Sequence, residues 1–176
     1  MKYTVVIVTY NRLELLKECI EAINNQKRKF DDVVIIDNAS TDGTIGYLRQ
    51  YEKKYHIIYE KENGGGAKGF KDGVEYTYKN ICTDWILLID DDAILDSEYL
   101  ENISQFISAN KEYKAVSGTV KTEGKIDITH RKRLESKLTF SIKPVPEDEY
   151  IKESFDYGLS ENGNVCLEFL LLIVHP

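Results

Sequence analysis

Trp85-Ile86-Leu87-Leu88-Ile89 runs directly into Asp90-Asp91-Asp92. Five consecutive apolar residues read as a strand buried on both faces, as in the interior of a parallel sheet. Three carboxylates follow at once, where that strand ends. Adjacent like charges repel, most strongly at the edge of an apolar core. Solvent screening makes such a cluster tolerable, and a bound cation makes it useful. A single Asp there would read as an acidic turn; three in a row after a fully apolar strand favour a metal site.

Working outward, the same pattern recurs. Tyr3 to Thr9 is a β-branched strand that turns at Tyr10-Asn11-Arg12 into a helix with Leu13, Leu16, Ile20 and Ile23 at helical spacing. Val33 to Ile36 is a second strand ending at Asp37-Asn38, and Ala39 to Thr44 is rich in capping and turn residues. That segment leads into a helix bearing Ile45, Leu48 and Tyr51. His56 to Tyr59 is a short third strand, followed by a glycine loop and a helix with Ala67, Phe70, Val74 and Tyr78 in register. Beyond Asp92, a helix from about Ser97 to Ala109 shows Leu100, Ile103 and Ile107 on its inner face, and Lys114 to Val120 reads as a fifth strand. Strand and helix alternate with short connections, which predicts an α/β fold: a mostly parallel sheet with helices on both faces.

The chain has 176 residues, 42% hydrophobic and 30% charged, with a formal net charge of -7. These values fit one globular domain spanning 1–176, and they argue against a broad electrostatic grip on nucleic acid. Any polyanionic ligand would need a local cation. Cys19, Cys82 and Cys166 are widely spaced and odd in number, which argues against a disulfide framework or zinc site and fits a reducing cytoplasm. No signal peptide or bilayer-spanning run is present; the longest apolar stretch, Val165 to Val174, is broken by Glu168. From Lys121 to Gly163 the patterning dissolves, with Pro144 and Pro146 inside it, as in a functional or mobile loop.

Each of the first four strands ends in a polar cluster: Thr9 to Arg12, Asp37-Asn38, Asn63 with Gly64 to Gly66, and Asp90 to Asp92. Ligands of open α/β sheets bind outside the carboxyl ends of the strands, so four clusters on one rim describe a single site. Thr9 to Leu15 contains no glycine, which excludes a GxGxxG dinucleotide loop, and Gly64 to Gly69 does not supply a P-loop. With neither backbone cradle available, a hard divalent ion on the triple Asp is the substitute that bridges carboxylate and phosphate oxygens. His56, His130 and His175 show no metal spacing, and Trp85 reads as core.

Val6 to Arg12, Val34 to Thr44, Glu62 to Phe70 and Leu88 to Asp92 together resemble the family 2 glycosyltransferases with the GT-A (Rossmann-like) fold. The likeness covers about Lys2 to Val120, and Asn63-Gly64-Gly65-Gly66-Ala67-Lys68-Gly69-Phe70 is most similar to members that transfer rhamnose or galactofuranose. The resemblance implies a donor-binding core over 1–120 and the start of an acceptor-side region over 121–176. It also implies transfer from a UDP- or dTDP-sugar to a glycan or lipid-linked acceptor in cell-surface polysaccharide synthesis, with inversion and with Mn²⁺ or Mg²⁺. The enzyme would be cytoplasmic, or peripheral at the inner face of the membrane.

By the same resemblance, Thr9, Tyr10 and Asn11 line the nucleotide pocket with Arg12 nearby. Asp37 accepts from the base, Asp91 reaches the ribose, and Asp90 with Asp92 holds the metal. Asn63 and Gly66 allow close ligand approach, and Lys68 contacts phosphate. Local alternatives stand beside these: Asp37 fits a turn cap, Asn11 a helix start, Gly64 to Gly66 a tight turn, and Lys68 a solvated helix position.

The metal would stabilise charge developing on the departing diphosphate, and one carboxylate base on the acceptor hydroxyl suffices for inversion. Family members carry that base on an acidic motif after a strand resembling Phe169 to Ile173, where this sequence reaches Pro176. Asp148, Glu149, Glu153, Asp156 and Glu161 lack a matching context. The expectation is therefore a truncated N-terminal piece with a donor site and no catalytic base. A domain that only binds nucleotide sugar is the alternative. A phosphoryl-transfer enzyme with an Asp nucleophile is a third class, and it does not account for the first three loops.

Overall fold

The computed structural model describes residues 1–111, 113–116, 118, 121–122, 125–126 and 171–172. In chain order the elements are β1 (Tyr3–Thr9), α1 (Leu13–Asn24), β2 (Asp32–Asp37), α2 (Thr44–Leu48) with a 3-10 turn at Arg49–Tyr51, β3 (His56–Tyr59), α3 (Gly66–Asn80), β4 (Trp85–Asp90), α4 (Tyr99–Ala109) and β5 (Ala115–Val116). Three short strands follow: β6 (Lys121–Thr122), β7 (Lys125–Ile126) and β8 (Leu171–Leu172). Of the expected fifth strand the structure describes Ala115–Val116, and of the apolar stretch 164–174 it describes Leu171–Leu172. Sequence patterning puts an internal boundary at residue 120; the structure divides the chain into two compact units, Met1–Gly118 with Phe169–Pro176, and Thr119–Glu168.

In the first unit the described strands form one sheet in the order β3-β2-β1-β4-β8-β5. β3, β2, β1 and β4 are mutually parallel, and β8 runs antiparallel between β4 and β5. All seven residues of β1 are buried, as expected of a central strand covered on both faces. Its side chains alternate between two cores. Tyr3, Val5 and Ile7 join Leu16, Ile20, Leu48, Leu100 and Ile107 beneath α1, α2 and α4. Val6 and Val8 join Val34, Ile36 and Ile86 beneath Phe70 and Val74 of α3. In the second unit, β6 and β7 pair antiparallel.

The helix faces follow the expected spacing, with one correction. α3 was expected to bury Ala67, Phe70, Val74 and Tyr78, but Gly69, Gly73 and Thr77 face the sheet, Phe70 and Val74 are half-buried beside them, and Ala67 and Tyr78 are exposed. The cause is close approach: a Cβ on Gly73 would lie 2.4 Å from Val6 Cγ1, and one on Gly69 would lie 2.6 Å from Val8 Cγ1. Glycine lets the helix backbone settle onto the branched side chains of β1, which moves the buried stripe off the larger residues. A second fixture ties α1 to α4. The buried Gln26 amide donates to the Asp96 carbonyl at 2.7 Å, and its carbonyl accepts from Leu100 N–H at 3.1 Å in the first turn of α4. The segment between the triple Asp and α4 is thereby anchored at Asp96 and Leu100. No helix among the described residues is long and apolar enough to cross a membrane.

Candidate functional site: the carboxyl rim of the parallel sheet

Strand register brings the four polar clusters to one level. Thr9 pairs with Asp37, Asp37 with Tyr59, and Val8 with Asp90, so the loops after β1, β2, β3 and β4 leave the sheet together.

The loops after β1 and β2 are stitched to each other. Asn11, at φ 53°, donates its N–H to Ser40 Oγ at 2.9 Å, and its side-chain carbonyl accepts from Thr41 N–H at 2.7 Å. The Asp42 carboxylate serves two helices. One oxygen accepts from Leu13 N–H at 3.0 Å in the first turn of α1; the other accepts from Thr44 N–H and Oγ1 at 3.1 and 2.6 Å at the start of α2. Burial pushes the Asp42 carboxyl up, but the hydrogen bonds from Thr44 and Leu13 together hold it below the usual carboxylate range.

Asp37 is fully buried, and burial raises its carboxyl above the usual range against the lowering effect of Ser40. One oxygen accepts from Ser40 N–H at 3.2 Å, while Oδ1 is buried without a hydrogen-bond partner. The neighbouring Asn38 donates to the Gly65 carbonyl at 3.3 Å, and its own Oδ1 is also buried and unpartnered. Such atoms cost stability unless a donor reaches them.

At the triple Asp the three side chains part company. Asp91 is 3% exposed and accepts from Thr9 Oγ1 at 2.7 Å, itself a buried residue. Burial pushes its carboxyl above the usual range, against the pull of the Thr9 hydroxyl and the Arg12 guanidinium. Asp91, expected to face a ribose, is thus turned into the protein. Asp90 is half-buried and Asp92 exposed, and Arg12 Nη1 lies 2.9 Å from Asp92 Oδ2 and 3.4 Å from Asp91 Oδ1.

Tyr10 stands 43% exposed on the same rim. On the glycine loop, Asn63 Oδ1 accepts from Gly65 N–H at 2.8 Å, Gly65 takes φ 80°, and Gly66 opens α3. Lys68, expected to meet phosphate, forms ion pairs with Asp72 at 2.6 Å and Glu60 at 2.8 Å, which together hold its ammonium above the usual lysine range. Asp148, Glu149, Glu153, Asp156 and Glu161 lie outside the described residues.

Among the described residues, no three His, Cys, Asp or Glu side chains form a ready cluster for a metal ion. Two hard oxygen donors flanking an inward-turned third suit a cation whose remaining positions come from phosphate and water, the usual arrangement for magnesium-like ions. The residues present fit that kind of site, not a closed protein cage.

Asn38, Ser40, Asp42 and Gln26 carry this geometry without having been assigned roles from sequence. Asp42-Gly43-Thr44 holds a local capping signal that could have found Asp42. Nothing local links Gln26 to residues 70 and 74 positions away.

A parallel α/β sheet bearing these loops at its carboxyl rim is the GT-A arrangement of nucleotide-sugar transferases. The chain belongs to glycosyl transferase family 2, whose model matches residues 4–161. It is 31% identical over 116 residues to the poly(ribitol-phosphate) beta-glucosyltransferase of Bacillus spizizenii, covering 63% of this chain and 18% of that one. S. aureus TarS 1–349 in complex with UDP-GlcNAc superposes with TM-score 0.58 at 23% identity, covering 75% of this chain and 39% of that one. The mannosyltransferase PcManGT of Pyrobaculum calidifontis, in complex with GDP-Man and Mn²⁺, gives TM-score 0.58 at 27% identity, covering 69% and 36%. The chain spans well under half the length of these relatives.

Proposed function

We propose that this chain holds the donor half of a metal-dependent, inverting glycosyltransferase. It would take a UDP- or dTDP-sugar and serve transfer to a glycan or lipid-linked acceptor in cell-surface polysaccharide synthesis, on the cytoplasmic side. The observation that carries this reading is the common level of the four family motifs at one sheet rim, set by the pairings of Thr9, Asp37, Tyr59 and Asp90. The poly(ribitol-phosphate) relative and the neighbours bound to UDP-GlcNAc and to GDP-Man with Mn²⁺ support the substrate class and the metal.

Asp37 Oδ1 is the acceptor for a base imide N–H, which would supply the donor that this buried atom lacks. Tyr10, on the exposed rim, and Thr9 with Asn11 border the nucleotide, while Asn63 and Gly66 let it approach the α3 backbone. Asp91, held by Thr9, acts on the ribose side by positioning, and Asp90 with Asp92 holds Mn²⁺ or Mg²⁺ on the diphosphate. The bound ion offsets the negative charge that develops on the leaving diphosphate. No general base is assigned among the described residues; in this reading the chain binds donor and releases sugar at a negligible rate.

Calorimetric titration of UDP and dTDP with and without Mn²⁺ tests the reading. Metal-assisted binding of one of them is expected, and Asp92→Ala should abolish the metal's contribution while the far-UV spectrum stays unchanged. Metal-independent binding, or none, would overturn the role given to Asp90 and Asp92. Turnover at an ordinary enzymatic rate by these 176 residues would overturn the statement about the base.

A further inference from the structure

Arg12 occupies a position that local helix physics disfavours. It directly precedes α1, where the helix dipole is positive and repels a cation. Its guanidinium is nonetheless fixed by two carboxylates about eighty residues away, Asp92 at 2.9 Å and Asp91 at 3.4 Å. The side chains of Arg12 and Asp92 are both about half-exposed and that of Asp91 is buried, so this ion pair lies toward solvent from Asp91.

We propose that Arg12 is a resident counter-cation that holds the place of the divalent ion and yields Asp92 when metal and nucleoside diphosphate bind together. The inference rests on the donor-site reading above. A metal arriving alone must take Asp92 from the guanidinium, which then keeps only the longer 3.4 Å contact to Asp91. A metal arriving with a diphosphate offers the released guanidinium a new partner. Metal and nucleotide therefore strengthen each other's binding, and by linkage each does so to the same degree. Both contacts run through Nη1, and the guanidinium, unlike a lysine ammonium, carries further N–H donors in a planar fork suited to a phosphate. Arg12 is a positioning residue in this scheme.

The test is Mn²⁺ binding to the 176-residue chain, followed by the electron paramagnetic resonance of the free ion, with and without UDP. Wild type should bind Mn²⁺ weakly alone and at least tenfold more tightly with UDP. Arg12→Met should bind Mn²⁺ alone about threefold to fivefold more tightly than wild type, a gain of about 0.6 to 1 kcal/mol. UDP should strengthen its metal binding less than in wild type. Arg12→Lys should fall between the two. An Arg12→Met protein that binds Mn²⁺ alone no better than wild type, or with undiminished UDP coupling, overturns the proposal while leaving the donor site standing. Failure of all three proteins to bind Mn²⁺, with or without UDP, overturns the donor-site reading itself. If circular dichroism shows Arg12→Met unfolded, Arg12→Lys carries the decision, and wild-type affinity and coupling in that variant overturn the proposal.

Discussion

Asp42 shows how much a single carboxylate does in the loop after β2. Its two oxygens satisfy N–H groups at the starts of α1 and α2, which would otherwise have no intrahelical acceptor. Replacing it with Ala should cost about 1–2 kcal/mol of stability, measured by urea unfolding at neutral pH. Because the folded carboxyl lies below its unfolded value, the contribution is fully present above about pH 4 and fades as pH falls through the folded value. The stability gap between wild type and Asp42→Ala should therefore be flat from neutral pH down to about pH 5 and close at lower pH. A gap that persists undiminished into strong acid would contradict the double cap. Single residues were unevenly legible. The Asp-Gly-Thr pattern announces a cap, but Asp90, Asp91 and Asp92 are chemically identical in the sequence. Which of them turns inward depends on the strand's pleat and on Thr9, and neither is visible until β1 and β4 are placed side by side.

At the scale of elements, α3 carries the glycine loop, and its height above the sheet depends on Gly69 and Gly73. Gly73→Ala would put a methyl group 2.4 Å from Val6 Cγ1, a methyl on a fully buried β-branched side chain. Overpacking of this kind costs about 1–3 kcal/mol, more than the helix propensity gained over glycine. Val6→Ala in the same chain should recover part of the loss, so that the double variant is less destabilised than the sum of the singles. Chemical denaturation of the four proteins in the cycle checks this; strict additivity would rule out the contact. Element positions were legible throughout 3–109 because the apolar periods are strong. The face of α3 was not, because glycine contributes nothing to a hydrophobic pattern even where it forms the contact.

For the whole molecule, the proposed donor site in a chain of formal charge -7 predicts that metal and nucleotide bind jointly. UDP or Mn²⁺ alone should leave the melting temperature nearly unchanged. Both together, at about a hundredfold excess over Kd, should raise it by roughly 5–10 °C, and EDTA should reverse the rise. An equal rise with UDP alone would show that the protein needs no added cation. The fold class was legible from strand–helix alternation, but the sheet order was not, since two residues near position 171 join β4 and β5 from far along the chain. That insertion has a consequence for biosynthesis. Leu171 and Leu172 supply the pairing between Leu87 and Val116 and between Ile86 and Ala115. The four parallel strands can therefore assemble as soon as β4 has emerged from the ribosome, whereas the outer edge of β4 waits for some eighty more residues to be translated. A nascent chain arrested between those two points should present that edge as a transient target for chaperones, and lose it once Leu172 is clear of the exit tunnel.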